Sequence, residues 1–318
     1  MATEATAGRI DVHCHAVPPF FTEAAQAAGR GASISSGFPQ WSPSLAREVM
    51  DRQRVAAALL SISQPGVHFG DDAAAITLAR RCNDYLAKLV ADDPAHFGAF
   101  AAVPLPNVPA ALDEIRHALE TLRLDGVGLL ASYGTQFLGD AAFDPVLELL
   151  DSYGATVFVH PNYHPSSRSL SMNLPAFLVE FPIDTTRAVA NLIFSGTLDR
   201  YPRIKFILAH QGGAAPYLAH RLSVAPLIDK RFAHLTPEAI LGQFRRFWYE
   251  SAQGAEPAVL AALGQLADPS HLLFGSDWPY CPPAVTAAGD AAVGGLDADI
   301  QARWRANALA LFPRFGSA

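Results

Sequence analysis

Short apolar runs, rich in β-branched and aromatic residues, alternate along the chain with longer segments in which apolar residues recur at helical spacing. This alternation implies a parallel sheet. The pattern predicts eight strands, at residues 10–15, 55–63, 97–104, 126–132, 155–161, 204–210, 246–252 and 271–277. Eight such strands favour an α/β fold of the (β/α)8 TIM barrel type, although an open doubly wound sheet uses the same elements.

Two stretches fall outside this pattern, and both follow predicted strands. Residues 18–43 come after the first strand and residues 162–183 come after the fifth. In barrels the loops after the carboxyl ends of strands build the active site, so we expect both insertions to frame a substrate pocket. The length of 318 residues fits one barrel with insertions, and we predict a single domain over residues 1–318.

Composition and charge narrow the class of protein. Half of the residues are apolar and only 17% are charged, which is enough apolar material for a large core. The net charge is −7 and the basic residues form no run, so we expect no nucleic-acid partner. We find neither a signal-peptide pattern nor an apolar run of about 18 residues, and we therefore expect a cytoplasmic protein without a membrane span. Three widely spaced cysteines argue against a disulfide framework and predict reduced thiols.

The first predicted strand ends in two histidines that flank a cysteine. In a strand, side chains two residues apart point to the same side, so His13 and His15 face together while Cys14 points away. An H-x-H pair at a strand end is a natural metal chelate. Taken alone, the pair is explained equally well by a histidine that is hydrogen-bonded in the core.

Three further polar residues end predicted strands. His160 ends the fifth strand, His210 the sixth and Asp277 the eighth. If the barrel closes, the eighth strand lies beside the first, and Asp277 comes next to the histidine pair. Imidazole and carboxylate ligands of this mix suit Zn²⁺, Mn²⁺ or Fe²⁺ and leave positions open for water or substrate.

Four stretches in this order, "IDVHCH", "VFVHP", "ILAHQGG" and "LLFGSDWPY", resemble the motifs of the amidohydrolase superfamily. More narrowly, they resemble its branch of metal-dependent non-oxidative decarboxylases, which includes aminocarboxymuconate semialdehyde, γ-resorcylate and 6-methylsalicylate decarboxylases. The resemblance covers residues 9–312. It implies that His13, His15, His160 and Asp277 are the metal ligands. It also implies that His210 is an acid or base that orients the metal-bound water or the substrate.

One departure from the superfamily is visible in the sequence. Many of its hydrolases bridge two metals with a carboxylated lysine on the fourth strand, but here that strand, "GVGLLAS", contains no lysine. The chain's three lysines, Lys88, Lys205 and Lys230, are expected in a helix, near the start of the sixth strand and in the segment that follows it. None of them is expected to reach the strand carboxyl ends. The prediction is therefore a site for one divalent ion, Zn²⁺ or Mn²⁺.

Several residues near the predicted strand ends are candidates for substrate contact. Trp278 could form a wall of the pocket or pack on the outside of the barrel. His164 lies in the second insertion, where solvent exposure is the default. Arg187 and Arg52 could each meet a substrate carboxylate. Asp184 is expected to be the N-cap of a helix.

The resemblance leads to a main hypothesis, decarboxylation of a hydroxyaromatic carboxylic acid such as 6-methylsalicylate. In this reaction the substrate chelates the metal, His210 or Asp277 supplies a proton to C1, and CO₂ leaves. The alternative is a mononuclear hydrolase that attacks a lactone, ester or amide with metal-bound hydroxide. A barrel that only binds a ligand would require a broken element, and all five polar positions carry competent residue types.

The expected partners are a small-molecule carboxylic acid and a second copy of the chain. A homodimer is expected because the branch is commonly dimeric, sometimes with an arginine that reaches across the interface. Arg221 or Arg231 could be that arginine.

Overall fold

The computed structural model describes residues 8–31, 37–169, 174–281, 283–295 and 298–316. Its main sheet has eight parallel strands that neighbour one another in chain order. They are β1 (Arg9–His15), β2 (Val55–Ser61), β3 (Phe97–Ala101), β4 (Gly126–Leu130), β5 (Thr156–His160), β6 (Lys205–Leu208), β7 (Trp248–Glu250) and β8 (Leu272–Leu273). A separate antiparallel hairpin pairs Ser132–Tyr133 with Gln136–Phe137.

Helices connect the strands and cover the sheet from outside. They are α1 (Pro19–Ala27), α2 (Pro43–Gln53), α3 (Asp72–Asp92), α4 (Val108–Arg116), α5 (Asp144–Tyr153), α6 (Ala176–Phe194), α7 (Thr197–Arg200), α8 (Ala215–Ser223), α9 (Ala225–Ile228), α10 (Pro237–Phe244), α11 (Pro257–Gly264), α12 (Pro283–Gly294) and α13 (Ala298–Leu311). A π-helical turn at His117–Thr121 continues α4. None of the helices in the described part of the chain combines the length and the apolar character that a membrane crossing requires.

Hydrogen bonds close the sheet between β1 and the segment after β8. The Val12 N–H donates to the Phe274 carbonyl at 3.0 Å, and the Asp277 N–H donates to the His13 carbonyl at 2.8 Å. The His15 N–H donates to the carbonyl of Trp278 at 2.8 Å. The predicted (β/α)8 barrel is therefore confirmed.

Apart from β1, the strands end earlier at their carboxyl ends than the apolar pattern predicted. His210 and Asp277 lie just beyond β6 and β8, with φ angles of 53° and 58°. A non-glycine residue in this left-handed region cannot continue a strand, and such conformations cluster at functional sites. His210 and Asp277 thus stand where their chain segments leave the barrel wall.

The core has an inner and an outer apolar layer. Ile10 and Val12 of β1 lie in the inner cluster, whereas Cys14 lies in the outer cluster between strands and helices. The pairing of β1 with β2 is irregular between Asp11 and Cys14. Because such an irregularity changes which side chains face each side, it accounts for the switch and turns His13 inward, against the ring of Phe158.

The carboxyl-terminal segment closes the amino end of the barrel. Phe312 and Phe315 belong to the inner cluster. Between them in sequence, Arg314 forms an ion pair with Asp125 at 2.6 Å and donates to the carbonyl of Phe97 at 2.8 Å. The barrel is therefore filled from this end, and the open end is the one that carries the polar residues.

The two insertions contain helical structure where the structure describes them. Helix α1 lies in the first insertion, and α6 begins at Ala176 within the second; residues 32–36 and 170–173 lie outside the described residues. The expectation that Asp184 is an N-cap is wrong, because Pro175 holds that position. The sequence misled because Pro182, a residue that normally interrupts a helix, lies inside the helix here. Asp184 is buried and accepts hydrogen bonds from the Ser132 hydroxyl and the Asn162 N–H.

Gly126→Ala tests the tight contact between β4 and β5. A Cβ at Gly126 would lie 2.3 Å from the backbone oxygen of Thr156, so the strands must separate. We expect a loss of about 1–3 kcal/mol in the free energy of unfolding, measured by urea denaturation. Gly242→Ala is the control, because a Cβ there meets no atom within 4 Å and alanine favours the helix. Equal stability of both variants would contradict this packing.

Candidate metal centre

Four side chains meet at the open end of the barrel. They are His13 and His15 from β1, His160 from β5 and Asp277 from the segment after β8, and their ligand atoms all lie within 4.8 Å of one another. The Nε2 atoms of His13 and His15 are 3.0 Å apart. Asp277 Oδ1 lies 3.2 Å from the first and 3.1 Å from the second. Each of the four residues is buried.

The second ring nitrogen of each histidine in this cluster has its own partner. His13 Nδ1 lies 2.9 Å from Glu250 Oε1, and His15 Nδ1 lies 2.8 Å from the Ser61 hydroxyl. His160 Nδ1 lies 2.8 Å from the carbonyl oxygen of Pro161. These contacts fix the ring orientations and leave the Nε2 atoms for the centre, which is the usual arrangement around a protein-bound metal.

The charges of the cluster favour a cation. Burial lowers the pKa of His15 to about 4, so this ring is neutral at pH 7, as a metal ligand must be. Burial also opposes a charge on His13, but the carboxylates of Glu250 and Asp277 outweigh it and raise the pKa of His13 to about 10. Two carboxylates among buried imidazoles therefore stabilise positive charge at this point.

The donor set fits one divalent ion. Tetrahedral ligands about 2.1 Å from a zinc ion lie roughly 3.4 Å apart, close to the separations within the His13, His15 and Asp277 triangle. Three imidazoles and one carboxylate suit Zn²⁺ or Mn²⁺. The residues present thus fit a metal-binding site.

The predicted lysine positions agree with a single ion. Lys88 pairs with Asp92 on α3, Lys205 donates to the Gly154 carbonyl at the start of β6, and Lys230 is exposed. All three lie away from the cluster, and none is on β4. A lysine bridge between two metals therefore cannot form.

His210 stands beside the cluster, not within it. Its Nε2 lies 3.2 Å from Asp277 Oδ2, the carboxylate oxygen that faces away from the histidine pair. Its backbone N–H donates to Glu250, and its Nδ1 is buried without a hydrogen-bond partner among the described residues. Gln253 donates to the same Asp277 oxygen. This arrangement can move a proton between His210 and Asp277.

The sequence reasoning missed Glu250, which ends β7. This carboxylate is fully buried and binds His13 Nδ1, the His210 N–H and the Ala252 N–H. Gly275 makes room for it, because a Cβ at that position would lie 2.0 Å from Glu250 Oε2. A charged residue at the end of an apolar strand, "FWYESA", was the available signal.

A cavity of about 330 Å³ adjoins the cluster on the side of His160. This volume suits a small ligand. The walls are largely apolar, and they include Ile62, Val103, Leu105, Leu130 and Phe158. Asn162 and Arg30 are among the polar residues of the lining. An apolar ring with a few polar substituents matches these surroundings.

The structure does not bring the four predicted substrate residues into this lining. Arg52 is exposed near the end of α2, before β2 begins, so it lies at the opposite end of the barrel; this expectation is corrected. Arg187 lies on α6, and His164 stacks on the ring of Phe137. The Trp278 side chain packs against the outer apolar cluster.

The barrel and its cluster of three histidines and one carboxylate define a metal-dependent enzyme of the (β/α)8 class. The sequence model of the Amidohydrolase family matches residues 10–314, and the chain belongs to this family. The 6-methylsalicylic acid decarboxylase of Penicillium expansum is 37% identical over 278 residues, 86% of this chain and 86% of that protein. The 6-methylsalicylic acid decarboxylase acuB of Aspergillus aculeatus is 36% identical over 318 residues, 96% of each chain.

A solved structure extends the comparison. Dihydroxybenzoic acid decarboxylase from Polaromonas sp. JS666, solved with bound manganese and the inhibitor 2-nitroresorcinol, gives a TM-score of 0.79 at 24% identity. The match covers 96% of this chain and 97% of that chain. At this identity the similarity shows the fold alone. Together with the curated relatives, the family match confirms the resemblance inferred from the four sequence motifs.

His13→Ala tests the cluster as a metal site. The variant lacks one of the four metal ligands. Loss of a group that only hydrogen-bonds to a ligand lowers metal affinity about 10- to 100-fold, so we expect a larger loss here. Metal content by mass spectrometry and a manganese titration would measure this. Cys14→Ala is the matched control, because Cys14 lies in the outer apolar cluster and its loss should leave metal binding unchanged. Equal metal affinity of the two variants would contradict the assignment.

Proposed function

We propose that the protein is a metal-dependent non-oxidative decarboxylase of a hydroxyaromatic carboxylic acid such as 6-methylsalicylate. The observation that carries this proposal is the four-donor cluster beside an apolar cavity of ring size. The names of the two curated relatives, both 6-methylsalicylic acid decarboxylases, support the choice of substrate. The enzyme is then a carbon–carbon lyase.

The cofactor in this proposal is one divalent ion, Mn²⁺ or Zn²⁺, held by His13, His15, His160 and Asp277. When bound, the ion acts as a Lewis acid that draws electron density from the substrate's carboxylate and adjacent oxygen. The manganese in the dihydroxybenzoic acid decarboxylase structure supports manganese as one candidate.

The residues of the chain supply the proton that the reaction consumes. The pair formed by His210 Nε2 and Asp277 Oδ2 lies at the edge of the cluster and can hold one proton between them. Transfer of this proton to C1 of the ring is followed by cleavage of the bond between C1 and the carboxylate. The electron pair of that bond restores the aromatic ring, and CO₂ leaves. Glu250 fixes the backbone of His210 for this role.

The apolar wall of the cavity keeps water away from the carbon that must be protonated. Val103, Leu105 and Phe158 are buried and present apolar surface to the ligand. A substrate ring that fills this space removes its own apolar area from water, which stabilises the complex. Water is thereby excluded from the carbon that must be protonated.

The hydrolase alternative predicts a different fate for solvent oxygen. A hydrolase would incorporate ¹⁸O from labelled water into a carboxylic product, whereas decarboxylation consumes no water. The decarboxylase names of the curated relatives favour the lyase. Appearance of ¹⁸O in a carboxylic product would contradict our proposal.

His210→Ala tests the proton transfer. We expect the rate of CO₂ release from 6-methylsalicylate to fall at least about 100-fold, the usual contribution of a general acid, with the metal still bound. A carbon dioxide assay and metal analysis on the same preparation would measure both effects. His234→Ala, at an exposed turn, is the control and should behave as the wild type. If the metal is lost together with activity, His210 is a ligand and the role assigned here is wrong.

We also propose that the chain forms a homodimer through α8 and α9. Tyr217, Leu227 and Ile228 are large apolar residues that are 89%, 75% and 80% exposed on this face. Exposed apolar surface of this kind marks interaction sites. Arg221 lies one helical turn after Tyr217, while Arg231 is paired with Asp229 at 2.6 Å, so Arg221 is the better candidate to reach across.

Light scattering tests the dimer. We expect a mass of twice the 33.9 kDa of one chain for the wild type, and a monomer for the double variant Leu227→Asp, Ile228→Asp, because buried carboxylates disfavour the interface. Ile76→Asp on α3, which is 41% exposed, is the control and should remain dimeric. A monomeric wild type would contradict the proposal.

A further inference from the structure

The cavity beside the metal centre has one permanent charge. Among the described residues that line it, only Arg30 carries a charge at every physiological pH, and none is an aspartate, glutamate or lysine. His68, the other basic side chain besides His160, is already hydrogen-bonded to Asp72 at 2.8 Å. No carboxylate among the described lining residues therefore balances the charge of Arg30.

The backbone of Arg30 is held in place by the end of α1. The Gly29 N–H donates to the Gln26 carbonyl at 2.9 Å, and the Arg30 N–H donates to the Ala25 carbonyl at 2.8 Å. With Gly29 at a φ of +67°, this is the Schellman arrangement that ends many helices. Arg30 thus follows a defined helix end.

Helix α1 is itself anchored on the cavity wall. Phe21 is fully buried in an apolar cluster that also contains Val67 and Ala102, and Ala25 is fully buried on the same helix. Val67 and Ala102 also line the cavity. The packing of α1 therefore carries Arg30 to the cavity as a fixed part of its wall.

The guanidinium of Arg30 is partly buried and has no partner among the described residues. Its side chain forms no hydrogen bond or ion pair with another described residue. Most of the described arginines of comparable exposure have partners, for example Arg246 with Asp199 at 2.7 Å and Arg47 with Asp93 at 3.8 Å. A partly desolvated guanidinium without an internal partner is a ready donor for an external carboxylate, which it can bind through two parallel hydrogen bonds.

We propose that Arg30 binds the carboxylate of the aromatic acid and makes the cavity selective for the acid over the neutral phenol. The proposal rests on the function proposed above, because it assigns Arg30 to the carboxylate of that substrate. Each carboxylate oxygen has two lone pairs, so both oxygens can accept from Arg30 while one of them also faces the histidine cluster. When CO₂ leaves, the phenol that remains has lost this contact. Arg30 thereby favours binding of the substrate and release of the product.

Two small molecules separate the carboxylate contact from the fit of the ring. 2-Methylbenzoate has the carboxylate and the methyl group but no hydroxyl, so it does not undergo the proposed reaction. 3-Methylphenol, which loss of CO₂ from 6-methylsalicylate would leave, has the hydroxyl and the methyl group but no carboxylate. The dissociation constants of both are measured by calorimetry on manganese-loaded wild type, Arg30→Met, Arg30→Lys and Arg52→Met. Arg52→Met is the matched control, since it removes the same charge at the opposite end of the barrel.

We expect the Kd of 2-methylbenzoate to rise about 10- to 100-fold in Arg30→Met, as for loss of a hydrogen bond to a charged group. The Kd of 3-methylphenol should change less than about twofold, and Arg52→Met should match the wild type. Arg30→Lys should lie between the wild type and Arg30→Met, since it keeps the charge but not the planar fork.

Three results would overturn the proposal. They are wild-type affinity of Arg30→Met for 2-methylbenzoate, an equal loss of affinity for both molecules, and failure of the wild type to bind 2-methylbenzoate. The assay of CO₂ release stands apart from these titrations. A wild type that binds 2-methylbenzoate through Arg30 but releases no CO₂ from any hydroxybenzoate would contradict the proposed function and leave the role of Arg30 intact.

Discussion

The hydrogen bonds that join β1 to the segment after β8 are the constraint on which the site depends. Asp277 donates its N–H to the carbonyl of His13, and this contact spans nearly the whole chain. It sets the Asp277 carboxylate 3.1 to 3.2 Å from the two histidine Nε2 atoms. Without closure of the barrel, the Asp277 carboxylate would not lie beside His13 and His15. The four ligands, including His160, would then not meet at one point.

Charge balance then determines what this closed end can bind. Glu250 and Asp277 place two buried carboxylates around the imidazoles, and burial of charge is tolerated only with a compensating partner. A divalent cation is such a partner. The two carboxylate oxygens of Asp277 have different neighbours, and this is equally important. Oδ1 faces the histidine pair, while Oδ2 faces His210. One residue thus connects the metal-binding atoms with the proton-carrying pair.

The barrel and the four-donor cluster were accessible from the sequence because both depend on local periodicity and on strand order. Strand alternation placed His13 and His15 on one side, and closure of eight strands placed Asp277 beside them. Glu250 was missed because one carboxylate in an apolar strand does not reveal which side chain it will contact. Arg30 was missed because its position in the cavity follows from the tertiary packing of α1. Asp184 was misplaced because Pro182 lies inside a helix that a proline would normally interrupt.

The number of metal ions bound in the active enzyme distinguishes a single-metal decarboxylase from the alternatives. Protein stripped with a chelator is titrated with manganese while the rate of CO₂ release from 6-methylsalicylate is followed. We expect no activity without metal and a linear rise in rate that ends at one ion per chain. Full activity of the stripped protein, or a rise that continues to two ions per chain, would contradict a single-metal decarboxylase.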